Sequence, residues 1–164
     1  MTTQGELGNS AARVQRALAA CGLELQVVRM PAATRTAGQA AAAVGCDVAQ
    51  IAKSIVFGAA HSGRHVLVVT SGANRVDTTK VEALLGEPLR KADAAFVREK
   101  TGYAIGGVPP LAHVQEPVTF LDRDIFQHHI VWAAAGTPDT LFSLTPEQLA
   151  QVCAGTVADV GVDR

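Results

Sequence analysis

The chain has 164 residues, of which 48% are hydrophobic, 18% charged and 4% aromatic, and its formal net charge is −1. This length and composition predict one folded domain with a core of small side chains, and they exclude a disordered chain. No apolar run is long enough to span a membrane and residues 1–10 lack a secretory signal pattern, so we expect a cytoplasmic protein with no membrane partner.

Capping residues and hydrophobic periodicity predict helices and strands in an irregular order, after a flexible start over residues 1–9. Ser10, Thr36, Asp77, Asp93 and Thr145 are the expected N-caps of the helices. The predicted elements, in chain order, are a helix over 10–21, a strand over 23–30, a helix over 37–44, a short turn over 48–50, strands over 51–57 and 65–71, helices ending at 85 and 100, a strand over 117–121, a turn over 122–127, strands over 129–134 and 140–144, a helix ending at 153 and a strand over 156–160.

The order of these elements indicates the fold class. Hairpins are mixed with helices, and strict strand–helix–strand alternation is lacking. We therefore predict an α+β fold: a single domain over residues 10–164, with a mixed, mostly antiparallel, barrel-like sheet surrounded by helices.

The strand over 51–57 carries an unusual charge. Alternate residues of a strand share a face, so Lys53 points the same way as Ile51 and Ile55, and both faces of the strand are mostly apolar. An ammonium group is costly to bury without a partner. Either Lys53 reaches solvent along its apolar stem, or it projects into a pocket that takes an anionic or carbonyl ligand; the two readings are about equally supported.

A glycine and proline loop over residues 106–110 is the second unusual feature. Gly106 and Gly107 allow a ligand to approach the backbone closely, and Pro109 and Pro110 keep the following segment extended. Such a loop offers backbone N–H groups to a carbonyl oxygen or an oxyanion. The alternative is a structural turn with a stiff connector, which composition alone favours.

The cysteines and histidines of the chain do not predict a further reactive site. The three cysteines are far apart, which favours a reducing compartment and argues against a disulfide framework. His61 and His65 flank a hairpin tip and are expected at the surface, and His113 stands alone. No metal site, no cofactor and no nucleophile signature is therefore predicted.

Charge is spread unevenly along the chain. Residues 1–100 hold 12 Lys/Arg and 8 Asp/Glu, a balance of +4, whereas residues 101–164 hold 2 and 7, a balance of −5. The basic first part is compatible with a polyanionic partner, although an ordinary mixed-charge surface has the same composition.

Four stretches together resemble the YbaK/ProX family of aminoacyl-tRNA deacylases, trans-editing proteins related to the editing domain of bacterial prolyl-tRNA synthetase. The resemblance extends over residues 10–160, and the lysine strand together with the loop is a specific pair. The matching stretches are Thr34-Arg35-Thr36, the lysine strand over 51–57, the loop over 102–110 and Ala135-Gly136-Thr137-Pro138.

The resemblance implies a cytoplasmic, metal-independent hydrolase that cleaves the ester of a mischarged tRNA. The implied partners are the tRNA 3′ acceptor end and prolyl-tRNA synthetase or another synthetase. The expected substrate is tRNA-Pro carrying alanine, 2-aminobutyrate, serine or cysteine. The implied catalytic residue is Lys53, favoured for binding and orientation over proton transfer, and the implied substrate-binding residues are Thr36, Ser54, Gly106, Gly107, Val108, Pro109, Pro110, Gly136, Thr137 and Asp139.

Two positions depart from similar family members and keep other functions open. Ser54 follows the lysine where some relatives have Asn or Thr, and Asp139 stands where His is frequent. A carboxylate there changes specificity or weakens activity if the position shapes the site, or it is an ordinary turn residue. The alternatives are a non-catalytic binder of aminoacyl-tRNA or another adenosine-bearing ligand, and a plain interaction domain.

Overall fold

The computed structural model describes residues 7–163, in which one mixed sheet of eight strands is accompanied by five α-helices. The α-helices are α1 (Asn9–Ala20), α2 (Ala37–Val44), α3 (Thr78–Leu85), α4 (Ala94–Thr101) and α5 (Pro146–Cys153). The strands are β1 (Val28–Arg29), β2 (Ile51–Ala59), β3 (His65–Ser71), β4 (Leu89–Lys91), β5 (Val118–Asp122), β6 (Val131–Ala134), β7 (Thr140–Leu144) and β8 (Thr156–Ala158). Short 3-10 helices cover Val48–Gln50 and Arg123–Gln127.

The sheet is organised around the β2–β3 hairpin. Its strand order is β1-β7-β6-β2-β3-β5-β8, and β4 pairs with β2 outside this path. The pairings β1–β7, β2–β3, β2–β4 and β6–β7 are antiparallel, whereas β2–β6, β3–β5 and β5–β8 are parallel. The α+β class and the mixed sheet are confirmed.

The core forms where β3 is enclosed on both faces. All seven residues of β3 are buried, because its valine-rich sequence lies between β2 and β5 and is covered on each side. On one face, α1 packs through Ala11, Val14 and Leu18, which are spaced three and four positions apart and are fully buried. Burying each such Val or Leu side chain contributes about 1.5–3 kcal/mol.

Local capping explains why most helices begin where the sequence predicts. Thr36 and Gln39 form a reciprocal capping box at the start of α2, and Thr145 and Gln148 form another at the start of α5. Asp77 and Asp93 cap α3 and α4 through their carboxylates. These N-cap predictions are confirmed.

Several predicted element boundaries were wrong, and one strand was missed. The N-cap of α1 is Gly8 rather than Ser10, and its cap makes no side-chain hydrogen bond. The strand expected over 23–30 is reduced to β1, because only these two residues pair with β7. The three-residue strand β4 was missed, since its partner β2 is distant in sequence. Of the predicted flexible start, residues 1–6 lie outside the described part, whereas Leu7 packs against the core.

The edge of β2 that faces away from β3, called its outer edge, changes partner along its length. One edge pairs with β3 from Ala52 to Gly58. On the other edge, among the described residues, β6 pairs with Ile51 and Ala52 and β4 pairs from Phe57 to Ala59. The stretch between these two pairings is the place where two cavities open.

The described part of the chain contains no helix that is both long and apolar enough to cross a bilayer. Residues 7–163 also contain no cluster of three His, Cys, Asp or Glu side chains arranged to hold a metal ion.

Candidate active site

Two adjoining cavities lie beside the interrupted edge of β2. The lysine cavity, of about 190 Å³, contains Lys53 and is bounded by α2 and the segment that precedes it. The valine cavity, of about 270 Å³, is lined by Val56 of β2 and Val97 of α4 and is bounded by Lys91. The two cavities share one wall, formed by Ser54, Ile55, Ile105, Gly106 and Val108.

The shared wall joins the two stretches that the sequence singled out. Ser54 and Ile55 belong to the lysine strand, and Gly106 and Val108 belong to the glycine and proline loop, more than fifty positions later. Lys53, Ile51 and Ile55 line the lysine cavity together. The face of β2 that carries Lys53 therefore meets the loop across a cavity.

Lysine 53 lines its cavity without a partner in the described chain. It is half-buried, and within residues 7–163 its ammonium group has no ion-pair or hydrogen-bond partner. Arg35 lines the same cavity, exposed at the mouth, and Lys91 lines the valine cavity. No Asp or Glu of the described chain lines either cavity. The site is therefore suited to a negatively charged or carbonyl-bearing ligand.

Thr36 positions the segment that covers the lysine cavity. Its hydroxyl accepts a hydrogen bond from the Gln39 N–H at 3.1 Å, which fixes the first turn of α2. Thr34, two residues earlier, donates its hydroxyl to the Pro138 carbonyl at 2.8 Å. This pair of contacts holds Arg35 between them at the mouth of the cavity.

The glycine loop needs glycine at two positions for different reasons: a positive φ at Gly106 and a close backbone contact at Gly107. Gly106 has a φ of +97°, and the Arg35 side chain lies beside it, with Cγ 3.7 Å from where a Cβ would stand. Gly107 is buried against Thr137, and a Cβ there would lie 2.7 Å from the Thr137 Cα. The Gly107 N–H donates to the Ala104 carbonyl at 3.1 Å, so this group is committed within the loop.

Contacts to their carbonyl groups hold the two prolines of the loop in place. The Pro109 carbonyl lies 2.7 Å from Nε2 of His113, and the Pro110 carbonyl accepts a hydrogen bond from the Cys153 thiol at 3.2 Å. Burial raises the pKa of Cys153 to about 12, so the group stays a thiol at neutral pH and is unsuited to nucleophilic attack. These contacts stabilise the loop.

The segment Gly136 to Asp139 supports the loop from the other side. Gly136, with a φ of +105°, packs against the Ser10 carbonyl, and Thr137 packs against Gly107. The Asp139 carboxylate lies 3.4 Å from Nε of Arg29 and accepts a hydrogen bond from the Thr137 hydroxyl at 2.7 Å. Asp139 therefore stabilises this turn.

The predicted site residues fall into two groups. Those that line the cavities are Lys53, Thr36, Ser54, Gly106 and Val108. Those that line neither cavity and pack or bond behind the loop are Gly107, Pro109, Pro110, Gly136, Thr137 and Asp139.

Several residues that line the cavities were not predicted from the sequence. Arg35 belongs to a stretch that carries the family resemblance but was not predicted as a site residue, and Lys91 gave no local signal beyond its charge. Ile105 is an apolar residue with 55% exposure at the shared wall. The expectation of a surface His65 was wrong: this side chain is 1% exposed, and its Nε2 lies 3.0 Å from Nδ1 of His113. The two histidines are 48 positions apart, so no local pattern connects them.

Comparison with known proteins identifies the family of this chain. The sequence matches the aminoacyl-tRNA editing domain family over residues 31–152. A crystal structure described as a candidate trans-editing enzyme for prolyl-tRNA synthetase superposes with a TM-score of 0.91, at 47% identity, covering 96% of this chain and 100% of the other. The chain belongs to the YbaK-type aminoacyl-tRNA editing domain family.

Two further relatives have names that assign no activity. The crystal structure of the hypothetical protein APE2540 superposes with a TM-score of 0.85 at 32% identity, covering 92% of this chain and 99% of the other. The uncharacterized protein YwhH of Bacillus subtilis (strain 168) is 30% identical over 128 residues, which are 78% of this chain and 81% of that protein.

Proposed function

We propose that this protein hydrolyses the ester of mischarged aminoacyl-tRNA in trans, without a metal. The observation that carries the proposal is the pair of cavities: they share a wall of β2 and the glycine loop, bring Lys53, Arg35 and Lys91 together, and are lined by no carboxylate of the described chain. Membership of the editing domain family supports the same activity.

The chemistry demands little of the protein. An aminoacyl ester is already activated, so holding it in place, orienting one water molecule and stabilising the oxyanion supply most of the acceleration. Lys53 binds and orients the acylated 3′ end, and Arg35 and Lys91 neutralise flanking phosphates. The loop presents the backbone N–H groups of Gly106 and Val108, since that of Gly107 is already bonded to Ala104.

The substrate we propose is tRNA-Pro carrying a small amino acid: alanine, 2-aminobutyrate, serine or cysteine. A relative described as a candidate trans-editing enzyme for prolyl-tRNA synthetase supports the choice of tRNA. Cavities of 190 and 270 Å³ are of the size that suits small side chains and one nucleoside. The partners would be the tRNA 3′ end and a synthetase, in the cytoplasm, where tRNA is charged.

The test is deacylation of a panel of aminoacyl-tRNAs, including alanyl- and cysteinyl-tRNA-Pro, by the parent chain and by Lys53→Met. We expect at least one mischarged tRNA to lose its amino acid, and the variant to be slower by about 10²-fold. Lys100→Met is the matched control, because it removes a lysine that lines neither cavity. Release on no tRNA, with binding intact, would instead indicate a non-catalytic binder.

A further inference from the structure

Serine 54 occupies the interruption in the outer edge of β2. Among the described residues, the pairing with β6 ends at Ala52 and the pairing with β4 begins at Phe57. Ser54 lies between these two residues and takes part in neither pairing. The peptide groups of Ser54 that face this edge therefore border the cavities.

The direction of the Ser54 peptide groups follows from the register with β3. The Ile51 carbonyl accepts a hydrogen bond from the Gly72 N–H, and the Ala59 N–H donates to the Arg64 carbonyl, both at 2.8 Å. Successive residues of a strand turn their N–H and C=O to opposite edges. Odd-numbered residues of β2 therefore face β3, and the N–H and carbonyl of Ser54 face the interruption.

The side chain of Ser54 gives a second, independent sign of an unfilled polar site. Its hydroxyl oxygen is buried and has no hydrogen-bond partner in the described chain, although Ser54 as a residue is partly exposed and lines both cavities. Polar groups removed from solvent are nearly always bonded, and an unbonded one costs about 1–3 kcal/mol. The hydroxyl of Ser54 and its outward-facing peptide groups thus lie together at the shared wall.

We propose that the Ser54 N–H binds the carbonyl oxygen of the acyl ester and stabilises its negative charge during hydrolysis. This rests on the proposed function. Water attacks the carbonyl carbon, the carbonyl electron pair moves to the oxygen facing Ser54, and the tetrahedral adduct collapses by breaking the bond to the ribose oxygen. The proton that the ribose oxygen gains comes from the attacking water.

Amide hydrogen exchange tests the geometry without requiring activity. The Ser54 amide should exchange with deuterium at least about 100-fold faster than the amides of Lys53 and Ile55, which face β3. Adding 3′-alanylamino-3′-deoxyadenosine, a non-hydrolysable analogue, should slow Ser54 exchange at least about 10-fold, whereas adenosine alone should not. Equal protection of the three amides, or no slowing by the analogue, overturns the proposal.

A backbone substitution tests the chemistry. Ser54→Ala and the same chain with lactic acid at position 54 differ only in the replacement of one N–H by oxygen. With the aminoacyl-tRNA that the parent cleaves best, we expect kcat to fall by about 10²- to 10³-fold between them, with KM changed less than about 3-fold. Equal kcat values overturn the role of Ser54.

The two proposals fail in different ways. If the parent chain cleaves no aminoacyl-tRNA, the proposed function is lost, and the analogue then decides about Ser54 alone. Slowed exchange under the analogue would support the binding of an acyl carbonyl at Ser54, and unchanged exchange would overturn it.

Discussion

At the scale of single residues, the hydrogen bonds of the buried histidine pair limit which protonation states its rings can adopt. The Pro109 carbonyl only accepts, so Nε2 of His113 carries the hydrogen that bonds to it. In neutral His113, Nδ1 is then an acceptor, and Nε2 of His65 donates to it. Because only one hydrogen can lie between the two rings, the network excludes protonation of both at once, and it connects the β3 strand to the loop.

This pair predicts a loss of stability in acid. Burial, followed by the charges of His113, Lys100 and Arg64, lowers the pKa of His65 to about 4, and burial also lowers the pKa of His113. An unfolded histidine has a pKa of about 6.5, so between these values the unfolded state binds more protons. For this group, the free energy of unfolding should be highest above pH 6.5, fall by about 3 kcal/mol as the pH drops to about 4, and level off below it.

Urea unfolding of the parent, His65→Gln and His61→Gln between pH 7.5 and 4 measures the effect. Gln places a side-chain N–H where Nε2 of His65 donates, and it does not titrate. His61 is exposed, so its variant should keep the acid loss, whereas His65→Gln should lose part of it. Parallel pH profiles for all three proteins would contradict the assignment.

The sequence could not reveal these contacts, because each residue's environment is set by distant elements. Lys53 and the loop were identified from their own chemistry, and the structure brings them to one cavity. His65 was misplaced because its burial depends on His113 and on β3 lying inside the sheet. Lys91 resembles any surface cation until the cavities are defined, and Arg35 lies in a matching stretch whose place in the site depends on the fold.

At the scale of elements, the glycine loop is positioned by close contact between two connections. The backbone of Gly107 lies so near Thr137 that a methyl group would stand 2.7 Å from the Thr137 Cα and carbonyl carbon. Both neighbours are backbone atoms held by Thr140, Asp139 and the loop, so neither can move as a flexible side chain would.

Gly107→Ala should therefore destabilise the protein by about 1–3 kcal/mol and open the shared wall. Thermal unfolding measures the first effect, and deacylation or binding of the non-hydrolysable analogue measures the second. Gly38→Ala is the control: Gly38 lies in α2, its nearest neighbour to a new Cβ is 4.0 Å away, and Ala favours a helix by about 1 kcal/mol. A stable Gly107→Ala protein with an unchanged melting temperature would show that the connections are not in contact in solution.

Some elements with strong local signals were predicted to the residue, whereas elements that depend on distant partners were not. The helix over 37–44 and the strands over 65–71 and 140–144 match α2, β3 and β7, because capping boxes and short apolar runs act over a few residues. β4 depends on pairing with β2, and the interruption at Ser54 depends on where β6 and β4 end. Such long-range pairings leave no trace in a local pattern.

At the scale of the whole molecule, the fold separates cations at the cavities from carboxylates elsewhere, which the sequence alone does not show. The sequence shows only a basic first part and an acidic second part, with balances of +4 and −5. In the fold, Arg35, Lys53 and Lys91 gather at the cavities, while Asp159 and Asp163 pair with Lys80 away from them. The cations at the cavities are left for a ligand.

This arrangement predicts a measurable salt dependence. Each cation that contacts a phosphate of a single strand contributes a slope of about −0.7 to the plot of log association constant against log salt concentration, because it releases a condensed counterion. Binding of uncharged tRNA-Pro, titrated from 50 to 300 mM KCl, should therefore weaken steeply. Lys91→Met and Arg35→Met should each make the slope shallower by about 0.7 while reducing affinity at low salt more than at high salt.

Arg16→Gln serves as the control for these two variants, because Arg16 is an exposed cation of α1 that lines neither cavity. Its slope should match that of the parent, since the same net charge change is made where no phosphate is expected. If all three variants shift the slope equally, binding responds to the overall charge of the molecule, and the cavities are not where the tRNA backbone lies. If only the cavity variants change it, the 3′ end is held across both cavities.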